Sequence, residues 1–143
     1  MRANALLDTG AILAVLNRQD RWHVPCVRAL TQLRAPLLTS EAVLTEVLYM
    51  ISAHSYRLES AWAFIRSGVI TLAAITDSDL PALAHLMHRY HDRPMDFADA
   101  TLVHLAERES LTTILTVDFS DFQTYRIGGR QRFRVLPNHG VSH

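Results

Sequence analysis

Asn4-Ala-Leu-Leu-Asp8, followed at once by Thr9-Gly-Ala-Ile12, is the stretch whose reading decides the fold. A short apolar run ends on an acid. The next residues open a helix expected to reach about Asn17, with Thr9 as its N-cap. The same order returns near the other end of the chain, where Thr113-Ile-Leu-Thr-Val117 ends on Asp118. Three further runs read as strands: Pro36-Leu-Leu-Thr39, the β-branched Val69-Ile-Thr-Leu-Ala-Ala-Ile75, and Arg132-Phe-Arg-Val-Leu136. Helical patterns separate them, over Trp22–Leu33, over Glu41–Ala53 behind a Ser40 or Thr39 cap, and over Tyr56–Ser67 up to a C′ glycine, Gly68. Two more cover Asp77–Tyr90, with Pro81 in its first turn, and Met95–Glu109. Strands alternating with helices predict crossover connections and a mostly parallel sheet with helices on both faces. Ligands of such sheets sit beyond the carboxyl ends of the strands.

The 143 residues suit one domain with a real core, expected over residues 1–137, followed by a flexible tail at 138–143. Half the residues (49%) are apolar and 20% are charged, the balance of a globular chain. No apolar run approaches a membrane span and no secretory leader is visible, so a cytoplasmic location is expected. The lone cysteine, Cys26, excludes an internal disulfide and a Cys-based metal site. Fourteen cations balance fourteen anions, so affinity for nucleic acid must come from a local patch. All fourteen cations are arginine, which removes every lysine-dependent chemistry.

The acids are placed unevenly. Asp8 and Asp118 end strands and project at the carboxyl edge. Glu46 lies inside a helix, between Ala42, Val43, Tyr49 and Met50, where a carboxylate is poorly solvated unless paired. Asp96 and Asp99 share a helical face, and Asp118 and Asp121 repeat that three-residue spacing. Carboxylates converging on one cleft raise one another's pKa unless a cation neutralises them. An all-oxygen donor set suits a hard divalent ion, Mg²⁺ or Mn²⁺, and such a site suits phosphodiester hydrolysis. Each pair also has a plainer reading. Asp96 with Asp99, and Asp118 with Asp121, fit helix caps, and Asp8 fits a strand-end turn. The plain reading is weakest for Glu46, and the joint pattern favours a site.

Four segments together resemble the PIN-domain nucleases: Leu6-Leu-Asp-Thr-Gly-Ala-Ile-Leu13, Thr45-Glu-Val-Leu48, Met95-Asp-Phe-Ala-Asp-Ala-Thr-Leu102 and Leu115-Thr-Val-Asp-Phe-Ser-Asp-Phe122. Their order and spacing match over residues 4 to 137, and the size is most similar to the VapC-type toxins of toxin–antitoxin pairs. The resemblance implies a five-stranded parallel sheet with the acids at its carboxyl edge. It implies a Mg²⁺- or Mn²⁺-dependent endoribonuclease that inhibits translation, a VapB-like antitoxin that occludes the cleft, and a homodimer. By matched position, Asp8, Glu46, Asp99 and Asp118 carry over as metal-site carboxylates. Asp96 and Asp121 match more loosely, as further ligands or as caps. Thr9 and Thr116 stand where a hydroxyl orients a ligand or water. The family tolerates small residues after the first Asp-Thr or Asp-Ser, so Gly10 is only a mild departure from its pattern.

Other features have competing readings. Arg126, Arg130, Arg132 and Arg134, interleaved with Tyr125 and Phe133, are either a charged guard on an edge strand or a patch contacting RNA phosphates. His85, His88 and His91 recur every three residues, a spacing that drifts about 60° per step, and fit a solvated face better than a metal site. His104 is expected outside the cleft. Trp22, Trp62, Met50 and Leu48 belong to the core or to a dimer interface. A phosphorelay receiver and a haloacid-dehalogenase-type phosphatase both need a lysine and are excluded. A PIN nuclease of RNA processing without a toxin role, and a non-catalytic PIN-like module, remain as alternatives. The second predicts a missing acid, and all four positions are filled.

Overall fold

The computed structural model describes residues 3–52 and 55–138. Its elements are β1 (Leu6–Leu7), α1 (Thr9–Leu16), α2 (His23–Gln32), β2 (Leu37–Ser40), α3 (Glu41–Ile51), α4 (Ser55–Ile65), β3 (Ile70–Ala73), α5 (Leu80–Arg89), α6 (Phe97–Arg108), β4 (Thr113–Leu115), α7 (Phe119–Thr124), β5 (Arg126–Ile127), β6 (Gln131–Arg132) and β7 (Arg134–Leu136). Five strands form one parallel sheet in the order β3-β2-β1-β4-β7, flanked by helices, as the alternating pattern predicts. The central strand carries the most apolar run. Leu6 and Leu7 are wholly buried, as are Ile114 and Leu115 beside them, because helices cover both faces of the sheet. Leu72 on the edge strand β3 is 53% exposed.

Register positions the site. Leu7 pairs with Leu115, which sets Asp8 level with Thr116, and Leu6 pairs with Leu38, which sets Ser40 level with Asp8. The Ser40 side chain caps α3 by accepting the Val43 N–H, and its hydroxyl meets that of Thr101 on α6 at 2.8 Å. That buried contact fixes α3 against α6 and turns Glu46 toward the start of α6. Gly10 makes room for Val117. A Cβ there would stand 2.5 Å from Val117 Cγ2, so any larger residue would force the Val117 side chain aside where α1 starts close to the end of β4.

Several expectations need correction. The fifth strand does not begin at Arg132: Arg132 pairs with Arg126 in a separate antiparallel hairpin, and only Arg134–Leu136 joins the sheet. The hairpin turn uses Gly128 and Gly129, both at positive φ. The third strand covers four residues rather than seven, and the helix expected from Asp77 opens as a short 3₁₀ turn before α5. Asp8, not Thr9, is the N-cap of α1. The helix expected to run to Ser67 ends at Ile65, and Gly68, at φ +95°, lies in the turn that follows it. The expected end of α3 at Ala53, and all of the expected tail except Asn138, lie outside the described residues.

Below α6, Asp79 forms a separate polar cluster. It accepts hydrogen bonds from the Thr76 N–H (2.9 Å), from His104 Nε2 (2.8 Å) and from Arg108 (3.1 Å), tying the start of α5 to α6. These partners hold its carboxyl well below the usual carboxylate range, the His104 bond most of all. His104 therefore serves the scaffold. His85, His88 and His91 are exposed, as a solvated face requires.

Candidate active site

At the carboxyl edge, Asp8 is 5% exposed, with one hydrogen bond on each oxygen. One oxygen accepts the Thr9 N–H at 2.8 Å and the other accepts the Thr116 hydroxyl at 2.7 Å. Burial still pushes its pKa up against those two donors, and the charges of Asp96 and Asp121 add to the effect. Thr116, wholly buried, also accepts the Asp118 N–H at 2.9 Å, so one hydroxyl couples both strand-end acids.

Thr9 makes the second link. Its N–H holds Asp8, and its hydroxyl donates to Glu46 Oε1 at 2.8 Å. This is possible because Asp8 takes the capping role expected of Thr9. Burial raises the pKa of Glu46, opposed by the Thr9 hydroxyl and reinforced by a hydrogen bond and charge shared with Asp96. The apolar flank inferred for Glu46 is only partly real. Tyr49 is 80% exposed and Met50 62%, so the site acids and Thr9, not those side chains, define its surroundings.

Asp96 and Asp99 close a reciprocal capping box on α6. The Asp99 N–H donates to Asp96 at 2.8 Å, and the Asp96 N–H donates to Asp99 at 3.3 Å. The cap reading is therefore correct, and it does not remove them from the cleft. Burial, then the charges of Asp96, Asp8 and Asp118, push Asp99 up to about 8. Asp118, at the start of α7 with no side-chain cap bond, is pushed up to about 7 by burial and by a hydrogen bond and charge shared with Asp121. The six acids singled out from sequence thus act on one another electrostatically.

Two residues of this site escaped the sequence reading. Arg93 forms an ion pair with Asp121. Tyr125, wholly buried, lies where the charges of Asp99, Asp121 and Asp118 reach it. The arginine segment is not the interleaved surface it resembles, because Tyr125 and Phe133 are core residues. Arg126 is spent on the carbonyls of Gln123, Thr124 and Tyr125 at the end of α7. Arg130, Arg132 and Arg134 are exposed.

Among the described residues, no three Asp, Glu, His or Cys side chains are grouped so as to hold an ion. The acids are instead held individually: Asp8 by Thr9 and Thr116, Glu46 by Thr9, Asp121 by Arg93. The donor chemistry nonetheless fits a hard divalent cation, since the six acids offer only oxygen donors and four of them have raised pKa values. Beside the acids, a hollow of about 610 Å³ is lined by Ala42, Glu46, Ile75, Asp96 and Phe97. A second hollow of about 420 Å³ between α5, α6 and the hairpin has none of the six acids in its wall.

The PIN domain pattern matches residues 5–126. The chain belongs to the PIN domain family. Ribonuclease VapC26 of Mycobacterium tuberculosis (strain ATCC 25618 / H37Rv) is 28% identical over 135 residues, which span 92% of this chain and 99% of that protein. The crystal structure of Mycobacterium tuberculosis VapC20, described as a sarcin-ricin loop cleaving toxin, superposes with a TM-score of 0.72 at 21% identity, covering 82% of this chain and 94% of that one. The resemblance read from the four acidic segments is thereby established, as is the α/β PIN fold with its parallel five-stranded sheet. The PIN chain is related to the VapC-type nucleases. None of its described helices is long and apolar enough to cross a membrane.

Proposed function

We propose that this PIN protein is a Mg²⁺- or Mn²⁺-dependent endoribonuclease, the toxin of a toxin–antitoxin pair, which cuts RNA in the cytoplasm and so inhibits translation. The observation that carries the reading is the mutual electrostatic influence of six carboxylates near the carboxyl edge of the sheet, four of which (Asp8, Glu46, Asp99 and Asp118) have raised pKa values. Their common field is costly without a cation and useful with one.

Asp8, Glu46, Asp99 and Asp118 are the residues that would hold the ion, with Asp96 and Asp121 beside them. The bound ion would activate water and stabilise the leaving oxyanion. The chain's own contribution is orientation. Thr116 fixes Asp8 and the backbone of Asp118, Thr9 fixes Glu46 relative to Asp8, and the capping box fixes Asp99. Phe97, 44% exposed in the hollow beside Glu46 and Asp96, offers an aromatic face to an unstacked base, which favours single-stranded RNA. Arg130, Arg132 and Arg134 supply cations for the phosphate backbone, the remainder of the patch after Arg126 is taken.

The kinship with a protein named a ribonuclease supports RNA as substrate. The same kinship supports a VapB-like antitoxin as partner and a homodimer, for which exposed Tyr49, Met50 and Trp62 on α3 and α4 provide apolar surface. The deciding experiment incubates purified protein with single-stranded RNA and Mg²⁺ or Mn²⁺. Internal cleavage that stops with excess EDTA is expected, and cleavage that persists after the metal is stripped rejects the mechanism. Growth arrest on expression, relieved by the neighbouring gene product, tests the toxin role.

A further inference from the structure

Tyr125 is 0% exposed, yet its hydroxyl has no hydrogen-bond partner among the described residues. The ring has little freedom to find one. Phe122 packs edge-on against it at 5.2 Å and Tyr90 at 5.0 Å, and Phe122 is itself fully buried against Phe133. The hydroxyl cannot swing out to water without opening the core beneath α7. Phenylalanine would fill the same space with no buried polar atom, so the oxygen weakens the core unless it serves the site.

The charged groups around that hydroxyl are Asp99, Asp121, Asp118 and Arg93. Asp121 is already paired with Arg93, and Asp118, although partly desolvated, is more open to solvent than Asp99. Asp99 is 8% exposed and is held at Oδ2 only by the long 3.3 Å bond from the Asp96 N–H. It is the buried acceptor with the weakest support.

We propose that Tyr125 is a positioning residue of the acid site, whose hydroxyl donates from beneath to the Asp99 carboxylate when a divalent cation draws the acids together. The proposal rests on the metal-dependent reading above. It gives the chain a donor for a buried acid whose carboxylate neither Thr9 nor Thr116 reaches. Partners of this kind, behind a ligand, commonly change metal affinity by 10- to 100-fold.

Tyr125→Phe tests it through Mn²⁺ binding by titration calorimetry and through melting with and without Mn²⁺. In cation-free protein the melting temperature is expected to hold or rise. Mn²⁺ affinity is expected to fall about 10-fold or more, and the rise in melting temperature on adding Mn²⁺ is expected to shrink. Phe122→Leu is the packing control, expected to lower the cation-free melting temperature with Mn²⁺ affinity preserved. Equal Mn²⁺ affinity in Tyr125→Phe and wild type overturns the role of the hydroxyl. So does a cation-free melting temperature that falls in Tyr125→Phe as far as in Phe122→Leu, because the hydroxyl would then have a structural partner. A wild-type protein that binds no Mn²⁺ overturns the metal-dependent reading itself, an outcome distinct from the first two.

Discussion

Asp79 and Asp99 are buried to nearly the same degree, 7% and 8% exposed, and their carboxyls are shifted in opposite directions. Around Asp79 stand a backbone N–H, an imidazole and a guanidinium, and its carboxyl stays ionised at the lower edge of the carboxylate range or beyond. Around Asp99 stand Asp96, Asp8 and Asp118, and its proton is held up to about pH 8. Burial alone therefore does not set the sign of the shift. What sets it is whether the neighbouring groups are donors and cations, as around Asp79, or other carboxylates, as around Asp99.

The largest expected effect breaks the Asp99 side. Asp99→Asn and Asp8→Asn should each lower RNA cleavage by about 10²-fold or more while the domain stays folded, read by a cleavage assay beside circular dichroism. Loss of secondary structure along with activity would assign these acids to the scaffold instead.

The second prediction uses pH. A carboxyl with a raised folded pKa contributes stability below its unfolded value of about 4 and loses that contribution as pH rises through the folded value. For Asp118 and Asp99 that window runs from about 4 up through about 7 and about 8. Cation-free protein should therefore lose stability across this range. Mn²⁺ should raise the melting temperature more at pH 8 than at pH 5.5, where it must displace protons. Equal Mn²⁺ stabilisation at both pH values would show that the acids do not share a cation.

Asp79 has the opposite sign. Its lowered folded pKa contributes stability above the unfolded value of about 4, lost as pH falls through the folded value. Asp79→Asn should lower the melting temperature at pH 7 and leave cleavage per folded molecule unchanged. A selective loss of cleavage would merge the two regions into one functional unit.

The smallest effect sharpens the comparison within the site. Thr116→Val strips Asp8 of one donor and leaves the Asp118 N–H without its acceptor, costing about 1–3 kcal/mol in denaturant melts. Thr116→Ser should restore most of it.

Much of this was legible from the chain because an acid follows each of two apolar strands, Asp8 directly after β1 and Asp118 shortly after β4, which stops at Leu115 rather than at the expected Val117. Leu6-Leu7 and Ile114-Leu115 announce buried strands, and a parallel sheet then forces Asp8 and Asp118 to one edge. The capping box of α6 also follows from the spacing of Asp96 and Asp99. What stayed hidden depends on partners distant in sequence. Arg93 meets Asp121 twenty-eight residues on, with no local period to announce it. Asp8 and Thr9 are both good caps, and only the backbone decides that the aspartate caps and the threonine reaches Glu46. Tyr125 and Phe133 look like surface aromatics among arginines, whereas the hairpin folds them inward against Phe122. The two-residue strands of that hairpin are too short for periodicity to show.

The parallel arrangement of the sheet divides the molecule's tolerance for change in length. Every strand of the sheet delivers its last residue to the rim that carries the acids, and the returning segments before β2, β3 and β4, around Arg34, Ser67 and Ser110, reach the opposite rim. Extra residues spliced into those returns lengthen a loop at modest entropic cost and leave the register untouched. The same residues spliced between Leu7 and Thr9, or between Val117 and Phe119, would shift a carboxylate relative to its neighbours. For anyone attaching a label or a fusion partner, the fold offers one permissive rim and one that is not.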